Sequence, residues 1–208
     1  MENRRGGSQL DIGDISKGVE IILQGGVIVY PTDTCYGIGC DATNPEAIEK
    51  IFRIKGRKKD KPLPLIAASV EMIEKYVFIE EKAMILFKAF PGISVALRKK
   101  GNAIPDIVNK EKLAFRIPSN EVSKRLSELS DKPIISTSAN RSGDLSPYSI
   151  EEVKLSLKNS LKLIDLFIDN GILEKNPPST IVDLVDRKVE REGRVKEKQI
   201  LDLLGGKI

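Results

Sequence analysis

Two polar segments in the first third of the chain combine hydroxyl groups with a cluster of cations. The first, Pro31–Ile38 (PTDTCYGI), directly follows the apolar run Val27–Tyr30. The second, Lys55–Leu63 (KGRKKDKPL), holds four lysines and one arginine. Cations stabilise the charge of a phosphorylated ligand, and hydroxyl and backbone N–H groups fix its orientation. The second segment alone could be a solvated run of charges. The first favours a binding site, because open α/β sheets bind ligands where their strands end.

Three further clusters carry groups of the same kind. Ser136–Asn140 (STSAN) follows a second apolar run, Pro177–Thr180 (PPST) precedes another, and Arg191–Gly193 (REG) lies near the C-terminus. Hydroxyls beside an amide can bind a nucleotide or an amino acid without a titratable base. The alternative for each is a turn whose side chains satisfy their own backbone. The chain has neither a G-x-x-x-x-G-K-[ST] loop nor the third glycine of a dinucleotide fingerprint, so phosphates would have to meet Lys and Arg side chains.

Composition excludes several kinds of chemistry. The chain has 208 residues, 40% of them hydrophobic, which fits one domain over residues 11–208 after a disordered stretch at 1–10. It has no histidine, so a Ser-His-Asp triad and zinc sites with His ligands are excluded. Its two cysteines, Cys35 and Cys40, are expected to pack as small apolar side chains, because no histidine could activate a thiolate nucleophile. No apolar run approaches the roughly 18 residues of a membrane span, so we expect a cytoplasmic protein without membrane contact.

Helical and strand patterns alternate along the chain, which predicts an α/β fold: a single-domain, twisted mixed sheet with helices on its faces. Asp14 is predicted to cap a first helix that ends at Gly25-Gly26. Asn44 is predicted to cap a second helix that begins at Pro45. Pro64 in the strand pattern 63–67 predicts an edge strand or a bulge. Further helices are predicted at 70–76, 80–90 and 120–129, after Ser149, and in the last 12 residues, and further strands at 93–97, 113–117, 132–136, 164–168 and 180–184.

Together, six ordered segments resemble the YrdC-like family of L-threonylcarbamoyladenylate synthases. The resemblance covers about residues 15–200. It rests on PTDTCYGIGCDA at Pro31–Ala42, KGRKKDKPL at Lys55–Leu63, FRIP at Phe115–Pro118, STSANRSG at Ser136–Gly143, PSTIVD at Pro178–Asp183 and REG at Arg191–Gly193. It implies a large basic cavity and the conversion of ATP, L-threonine and bicarbonate into threonylcarbamoyl-AMP and pyrophosphate. It also implies a place as the first step of N6-threonylcarbamoyladenosine formation at position 37 of transfer RNA.

The resemblance also implies the roles of individual residues. It implies that threonine is held by Thr34, Arg116, Ser136 and Ser179. It implies that ATP is held by Lys55, Arg57, Lys61, Ser138, Asn140, Ser146 and Arg191. No covalent nucleophile is implied, and Mg²⁺ would be bound mainly through the ATP phosphates. Transfer RNA and a downstream threonylcarbamoyl-transferase complex are the implied partners. One departure concerns the substrate site: many relatives carry His where this chain has Ile66.

Two alternatives remain open at this level. An RNA-binding module (for double-stranded RNA or transfer RNA) without its own catalysis would use the cations of Lys55–Leu63 to neutralise phosphates. Six Phe and four Tyr, without an aromatic-basic RNA motif, offer this alternative little support. The second alternative is a carbamoyl-transfer domain of the hydrogenase-maturation type, but 208 residues with two cysteines leave no room for its additional modules.

Overall fold

The computed structural model describes residues 12–208, and in this part of the chain seven α-helices and nine strands are interleaved. The predicted disordered stretch, residues 1–10, lies outside the described residues. The helices are α1 Ile12–Leu23, α2 Pro45–Lys55, α3 Val70–Glu74, α4 Glu81–Ala89, α5 Glu121–Ser130, α6 Ile150–Ser156 and α7 Glu197–Leu203. The strands are β1 Ile28–Pro31, β2 Tyr36–Asp41, β3 Leu65–Ile66, β4 Ser94–Arg98, β5 Lys112–Arg116, β6 Ile134–Ser138, β7 Leu166–Phe167, β8 Ile181–Asp183 and β9 Lys188–Arg191.

All nine strands join one mixed sheet in the order β7-β1-β2-β6-β3-β5-β4-β8-β9. Three neighbouring pairs are parallel: β1 with β7, β3 with β5, and β4 with β8. The sheet separates two hydrophobic clusters. The smaller one lies under α1 and α5 and includes Ile22, Tyr30 and Leu126, and the larger one includes side chains of α2, α4 and α6. Helices therefore cover both faces, and the predicted α/β fold is confirmed.

The start and end of α2 follow directly from the sequence. The side chain of Asn44 accepts a hydrogen bond from the N–H of Ala47 at 3.0 Å, and Pro45 occupies the first turn. Gly56 ends the helix in the left-handed conformation, with φ of 56°, and its N–H is bonded to the carbonyl of Arg53. Glycine adopts this conformation without the steric cost that a Cβ would bring. The predicted cap Asn44 and the predicted start at Pro45 are confirmed, and Gly56 was not predicted as the end. The helix leads into the basic loop.

Three local predictions differ from the structure. Helix α1 already includes Ile12, so Asp14 lies in its first turn and is not its cap. Strand β3 lies between β6 and β5, so the predicted edge position is wrong. Pro64 precedes β3, and its carbonyl accepts the N–H of Ser136 at 2.9 Å, so the ladder needs no N–H from this residue.

Strand β2 was not predicted from the sequence. It forms a hairpin with β1 and also pairs with β6. Gly39 makes this pairing possible, because a Cβ there would lie 2.2 Å from the carbonyl oxygen of Ile135. Consequently the hydroxyl-bearing residues Thr32 and Thr34 lie in the turn of the β1–β2 hairpin. Within residues 12–208, no helix is long and apolar enough to cross a membrane.

Candidate functional site

The cavity at the centre of the described chain has a volume of about 540 Å³, within the usual range for small-molecule sites. Its wall is assembled from segments far apart in the sequence. They are the β1–β2 turn, the basic loop with β3, the end of β5, strand β6, the loop at 146–148, and the segments 176–181 and 190–191. A cavity whose wall includes residues of seven strands of one sheet requires the complete fold.

Most of the predicted binding residues come together here. Nine of the eleven line this cavity: Thr34, Arg57, Lys61, Arg116, Ser136, Ser138, Ser146, Ser179 and Arg191. Lys55 and Asn140 do not line it. The lining carries four cationic side chains and the carboxylate of Glu190, so the predicted basic character is confirmed.

Lys55 and Asn140 lie behind the wall and hold it in place. Lys55 is 1% exposed, and its ammonium donates to the carbonyl of Ser138, to the carbonyl of Asn140 at 2.8 Å and to Oδ1 of Asn140 at 3.3 Å. The amide of Asn140 donates to the carbonyls of Asp144 and Leu145. Burial is the main reason why the pKa of Lys55 falls to about 7, and the charge of Arg57 acts in the same direction.

The β6 hydroxyls that line the cavity are also hydrogen-bonded from behind. Ser138 Oγ donates to Asn140 Oδ1 at 2.6 Å, so this side chain both lines the cavity and closes the turn. Ser136 Oγ accepts from the hydroxyl of Tyr30 at 2.8 Å. Tyr30 is fully buried, and desolvation raises the pKa of its phenol, which keeps it a hydrogen-bond donor. These contacts fix both hydroxyls without occupying all of their lone pairs.

The β1–β2 turn is organised by one hydroxyl. Oγ1 of Thr32 donates to the carbonyl of Cys35 at 2.7 Å and accepts from the N–H groups of Thr34 and Cys35. The hydroxyl of Thr34 lies 3.2 Å from that of Thr32 and lines the cavity. Cys35 is buried, and desolvation raises the pKa of its thiol, which supports the packing role over a thiolate nucleophile.

The arginines at the cavity wall make hydrogen bonds to nearby groups of the protein. Arg57 donates to the carbonyls of Lys61 and Pro62, which folds the basic loop back on itself. Arg191 donates to both the carbonyl and the hydroxyl of Ser179. Arg116 forms an ion pair with Asp33, and its side chain is 10% exposed. Held in this way, the guanidinium groups are oriented before any ligand arrives, which lowers the entropic cost of binding.

The cations of the basic loop separate into two groups. Arg57 and Lys61 line the cavity, whereas Lys58 and Lys59 are exposed outside it. Lys59 forms an ion pair with Glu49 of α2. The solvated-charge interpretation therefore fits Lys58 and Lys59, and the ligand-site interpretation fits Arg57 and Lys61.

Ile66, which departs from the family pattern as noted above, lies in the cavity wall. It is 2% exposed and packs in the cluster that contains Tyr30 and Ile134. An apolar side chain at this point gives the cavity a dry face between Arg116, its register partner on β5, and the hydroxyls of β6.

The polar groups of the cavity wall suit an anion. Within residues 12–208, no group of three or more His, Cys, Asp or Glu side chains could hold a metal ion. Glu190 supplies the carboxylate of the lining, and cations and hydroxyls supply most of the remaining polar groups. Side chains of these kinds bind carboxylate and phosphate groups.

Several residues that build the site were not predicted. Tyr30 and Asp33 make the contacts described above. The hydroxyl of Thr180 donates to the carbonyl of Val195 and accepts from the N–H groups of Gly193 and Val195. Asp33 lies inside the first polar segment, so its charge was a signal in the sequence. Tyr30 and Thr180 belong to strand-like apolar patterns, which give no indication of what their hydroxyls contact.

Comparison with known proteins gives a consistent picture. The family model Sua5_yciO_yrdC, described as telomere recombination, matches residues 20–193. A protein of Pseudoalteromonas translucida, named threonylcarbamoyl-AMP synthase, is 32% identical over 187 residues, covering 87% of this chain and 98% of its own. The Escherichia coli protein YciO, described as uncharacterized, is 34% identical over 186 residues, covering 86% of this chain and 88% of its own.

A solved structure agrees with the sequence comparison. The crystal structure of Pyrococcus abyssi Sua5 complexed with L-threonine superimposes with a TM-score of 0.85 at 32% identity. The match covers 93% of this chain, which spans 58% of the length of that one.

Proposed function

The chain belongs to the Sua5/YciO/YrdC family, and we propose that it is a threonylcarbamoyl-AMP synthase. The reaction would join ATP, L-threonine and bicarbonate into threonylcarbamoyl-AMP, with release of pyrophosphate, as the first step of N6-threonylcarbamoyladenosine formation at position 37 of transfer RNA. The observation that carries the proposal is the gathering of nine of the eleven predicted binding residues around one basic cavity of about 540 Å³. A relative named for this activity, of which this chain spans 98%, supports it.

One part of the cavity suits an amino acid. Arg116 offers a guanidinium fork, the group that best matches a carboxylate. Thr34, Ser136 and Ser179 offer hydroxyls for the amine and the side-chain hydroxyl of threonine. Ile66 supplies apolar surface for the methyl group. In this arrangement each polar atom of threonine finds a partner, as a specific site requires.

The other part suits the nucleotide. Arg57, Lys61 and Arg191 would stabilise the triphosphate, and Ser138 and Ser146 would accept or donate hydrogen bonds at its oxygens. Mg²⁺, bound through the phosphates, would neutralise part of their charge. Lys55 and Asn140 would act from behind the wall by holding the β6 turn that carries Ser138.

The reaction then depends more on the positioning of its substrates than on a reactive side chain. The neutral threonine amine forms a C–N bond to CO₂ and releases one proton to solvent, or forms the same bond to bicarbonate with loss of one water and no net release of a proton. One oxygen of the resulting carbamate forms a bond to the α-phosphorus of ATP while the bond to pyrophosphate breaks in line. Arginine and lysine side chains stabilise the negative charge on the departing pyrophosphate. A chain without histidine can perform this reaction, because no step needs a His base or a covalent intermediate.

Pyrophosphate release provides the decisive test. ATP with Mg²⁺ should give pyrophosphate and a threonine-containing adenylate only when both L-threonine and bicarbonate are present, with the product identified by mass spectrometry. Serine lacks one methyl, which costs roughly 10- to 200-fold in an apolar niche. Valine lacks the hydroxyl and leaves buried partners unpaired, so its rejection should be stronger.

The outcomes separate the two functions considered. Threonine-dependent adenylate formation supports the synthase. An absence of any adenylate, together with RNA affinity that falls steeply with salt, would favour the RNA-binding module instead. Ser136→Ala and Ser138→Ala should each reduce synthesis by the folded protein, and each should also cost about 1–3 kcal/mol of stability, because the lost hydroxyls bond Tyr30 and Asn140. A large loss of melting temperature with full activity of the folded fraction would assign both serines to the turn alone.

A further inference from the structure

Asp33 contacts several separate parts of the chain at the edge of the cavity. Its carboxylate is 12% exposed and forms an ion pair with Nη2 of Arg116 on β5. The second carboxylate oxygen accepts from the hydroxyl of Ser119 at 3.1 Å, and the backbone carbonyl accepts from Nη2 of Arg194 at 3.2 Å. One acidic residue thus joins the β1–β2 turn to β5, to the loop before α5 and to the C-terminal loop.

The turn before β4 leaves space for this carboxylate. Gly92 has φ of 80°, and a Cβ there would lie 2.8 Å from Oδ2 of Asp33. A side chain at this position would therefore collide with Asp33 and would also be strained. The close approach of Gly92 and the bond from Ser119 define one position for the carboxylate.

The electrostatic surroundings explain why an anion is needed here. The pKa of Arg116 is lowered to about 10, mainly by burial and also by the charges of Arg194 and Arg191, against an opposing effect of Tyr30. Without Asp33, these like charges would repel one another in a partly buried region where screening is weak. The carboxylate of Asp33 keeps the guanidinium of Arg116 in its place.

The pairing also leaves Arg116 able to bind a second anion. Among residues 12–208, the hydrogen-bond acceptor of Arg116 is Asp33, and its Nε is buried without a partner. Arg116 also lines the cavity, so guanidinium donors that Asp33 does not use can meet a ligand there. Because the fork of an arginine has two edges, one carboxylate can hold it while another binds.

We propose that Asp33 is a positioning residue for the amino-acid substrate. Asp33 holds the guanidinium of Arg116 in position and links it to the β1–β2 turn that carries Thr34. In this position Arg116 meets the carboxylate of the substrate. This inference rests on the proposed function. The opposite possibility is competition, in which the Asp33 carboxylate occupies Arg116 and the substrate has to displace it. The two roles predict changes of opposite sign when the charge of Asp33 is removed.

Asp33→Asn removes the charge and preserves the size of the side chain. The dissociation constant and KM for L-threonine should rise roughly 10- to 100-fold, the range for a lost hydrogen bond to a charged group. The dissociation constant for ATP, measured by calorimetric titration, should change less than about twofold, because the Asp33 contacts lie on the amino-acid side. L-threoninamide, which has no carboxylate, should lose much less affinity than L-threonine.

A matched control separates this role from a general loss of stability. Asp106→Asn makes the same substitution in an ion pair with Lys99 outside the cavity, and it should leave both dissociation constants unchanged. If Asp33→Asn does not fold, Ser119→Ala, which removes the hydrogen bond to Oδ2, should weaken threonine binding by about two- to fivefold.

Each outcome decides the inference. Unchanged or tighter threonine binding in folded Asp33→Asn overturns the positioning role, as does an equal loss for L-threonine and L-threoninamide. If Ser119→Ala has to replace that variant, unchanged threonine affinity overturns it. If the unmodified protein releases pyrophosphate with threonine and only the variant result disagrees, the proposed function stands and this inference fails. If the unmodified protein binds no threonine, both fail.

Discussion

The buried ammonium of Lys55 gives the sharpest prediction about stability. Lys55 is 1% exposed, and the ammonium donates to three oxygens of the Ser138–Asn140 turn. Lys55→Met replaces it with an apolar side chain of similar length. The substitution has two opposing effects: it leaves three acceptors without their donor, and it removes the cost of burying a charge.

The pH dependence separates these two effects. The pKa of Lys55 is lowered by burial from 10.5 to about 7 in the folded protein. Between these two values the unfolded chain binds more protons than the folded one, so this group makes the free energy of unfolding rise with pH. The cost of the buried charge is fully present below pH 7 and is lost as the pH rises towards 10.5. Between pH 7 and 9 the calculated gain is about 2 kcal/mol.

The groups that face Lys55 do not reverse this sign. The charge of Arg57 lowers the pKa of Lys55, and Cys35 and Asp144 raise it by smaller amounts than burial lowers it. The acceptors of these hydrogen bonds are carbonyl and amide oxygens, which do not titrate in this range of pH. The slope with pH therefore reports the buried charge, whatever the absolute difference between the two proteins.

Urea denaturation followed by circular dichroism at pH 7, 8 and 9 measures this slope. The free energy of unfolding of the unmodified protein, minus that of Lys55→Met, should increase by about 2 kcal/mol from pH 7 to 9. Lys50→Met is the matched control, since it removes another lysine of α2 that reaches a backbone carbonyl. A difference that stays constant over this range would refute the reasoning. It would mean that the three oxygens keep Lys55 charged in spite of its burial.

Three further predictions concern residues that line the cavity or support its wall. Arg57→Ala should weaken ATP binding by about 1.5–3 kcal/mol, the value of a hydrogen bond to a charged group; unchanged affinity in calorimetric titration would contradict the assignment. Thr180→Val removes the hydroxyl that donates to Val195 and accepts from the N–H groups of Gly193 and Val195. It should lower the free energy of unfolding in urea by about 2–4 kcal/mol, and Thr180→Ser should restore most of the loss. Tyr30→Phe should cost about 1 kcal/mol of stability and raise KM for threonine, while an unchanged KM would separate the Tyr30–Ser136 hydrogen bond from substrate binding.

Local signals in the sequence predicted much of the fold. Asn44 and Pro45 predicted the start of α2, because a side-chain cap and a fixed φ act within a few bonds of the chain. The alternation around Arg116 predicted β5. The position of a strand within the sheet could not be predicted from such local signals. Pro64 indicated an edge strand, whereas the sheet places β3 between β6 and β5, because pairing depends on partners distant in sequence.

For the site, too, local features of the sequence were predictable and contacts between distant residues were not. The resemblance to the YrdC-like family implied eleven binding residues, and nine of them line the cavity. The sequence could not distinguish residues that line the cavity from residues that hold the lining in place from behind. Lys55 and Arg57 are two residues apart in one basic run, yet Lys55 is buried behind β6 and Arg57 lines the cavity.

The types and order of the polar residues were determined by the sequence itself, since residue chemistry and chain order are local properties. Only the tertiary structure decided which of these groups point into the cavity and which hold others in place. The pairing of Asp33 with Arg116 joins residues 83 positions apart, and that of Tyr30 with Ser136 joins residues 106 apart. Such contacts exist only after the sheet has formed, because packing on both of its faces determines the direction of each buried side chain.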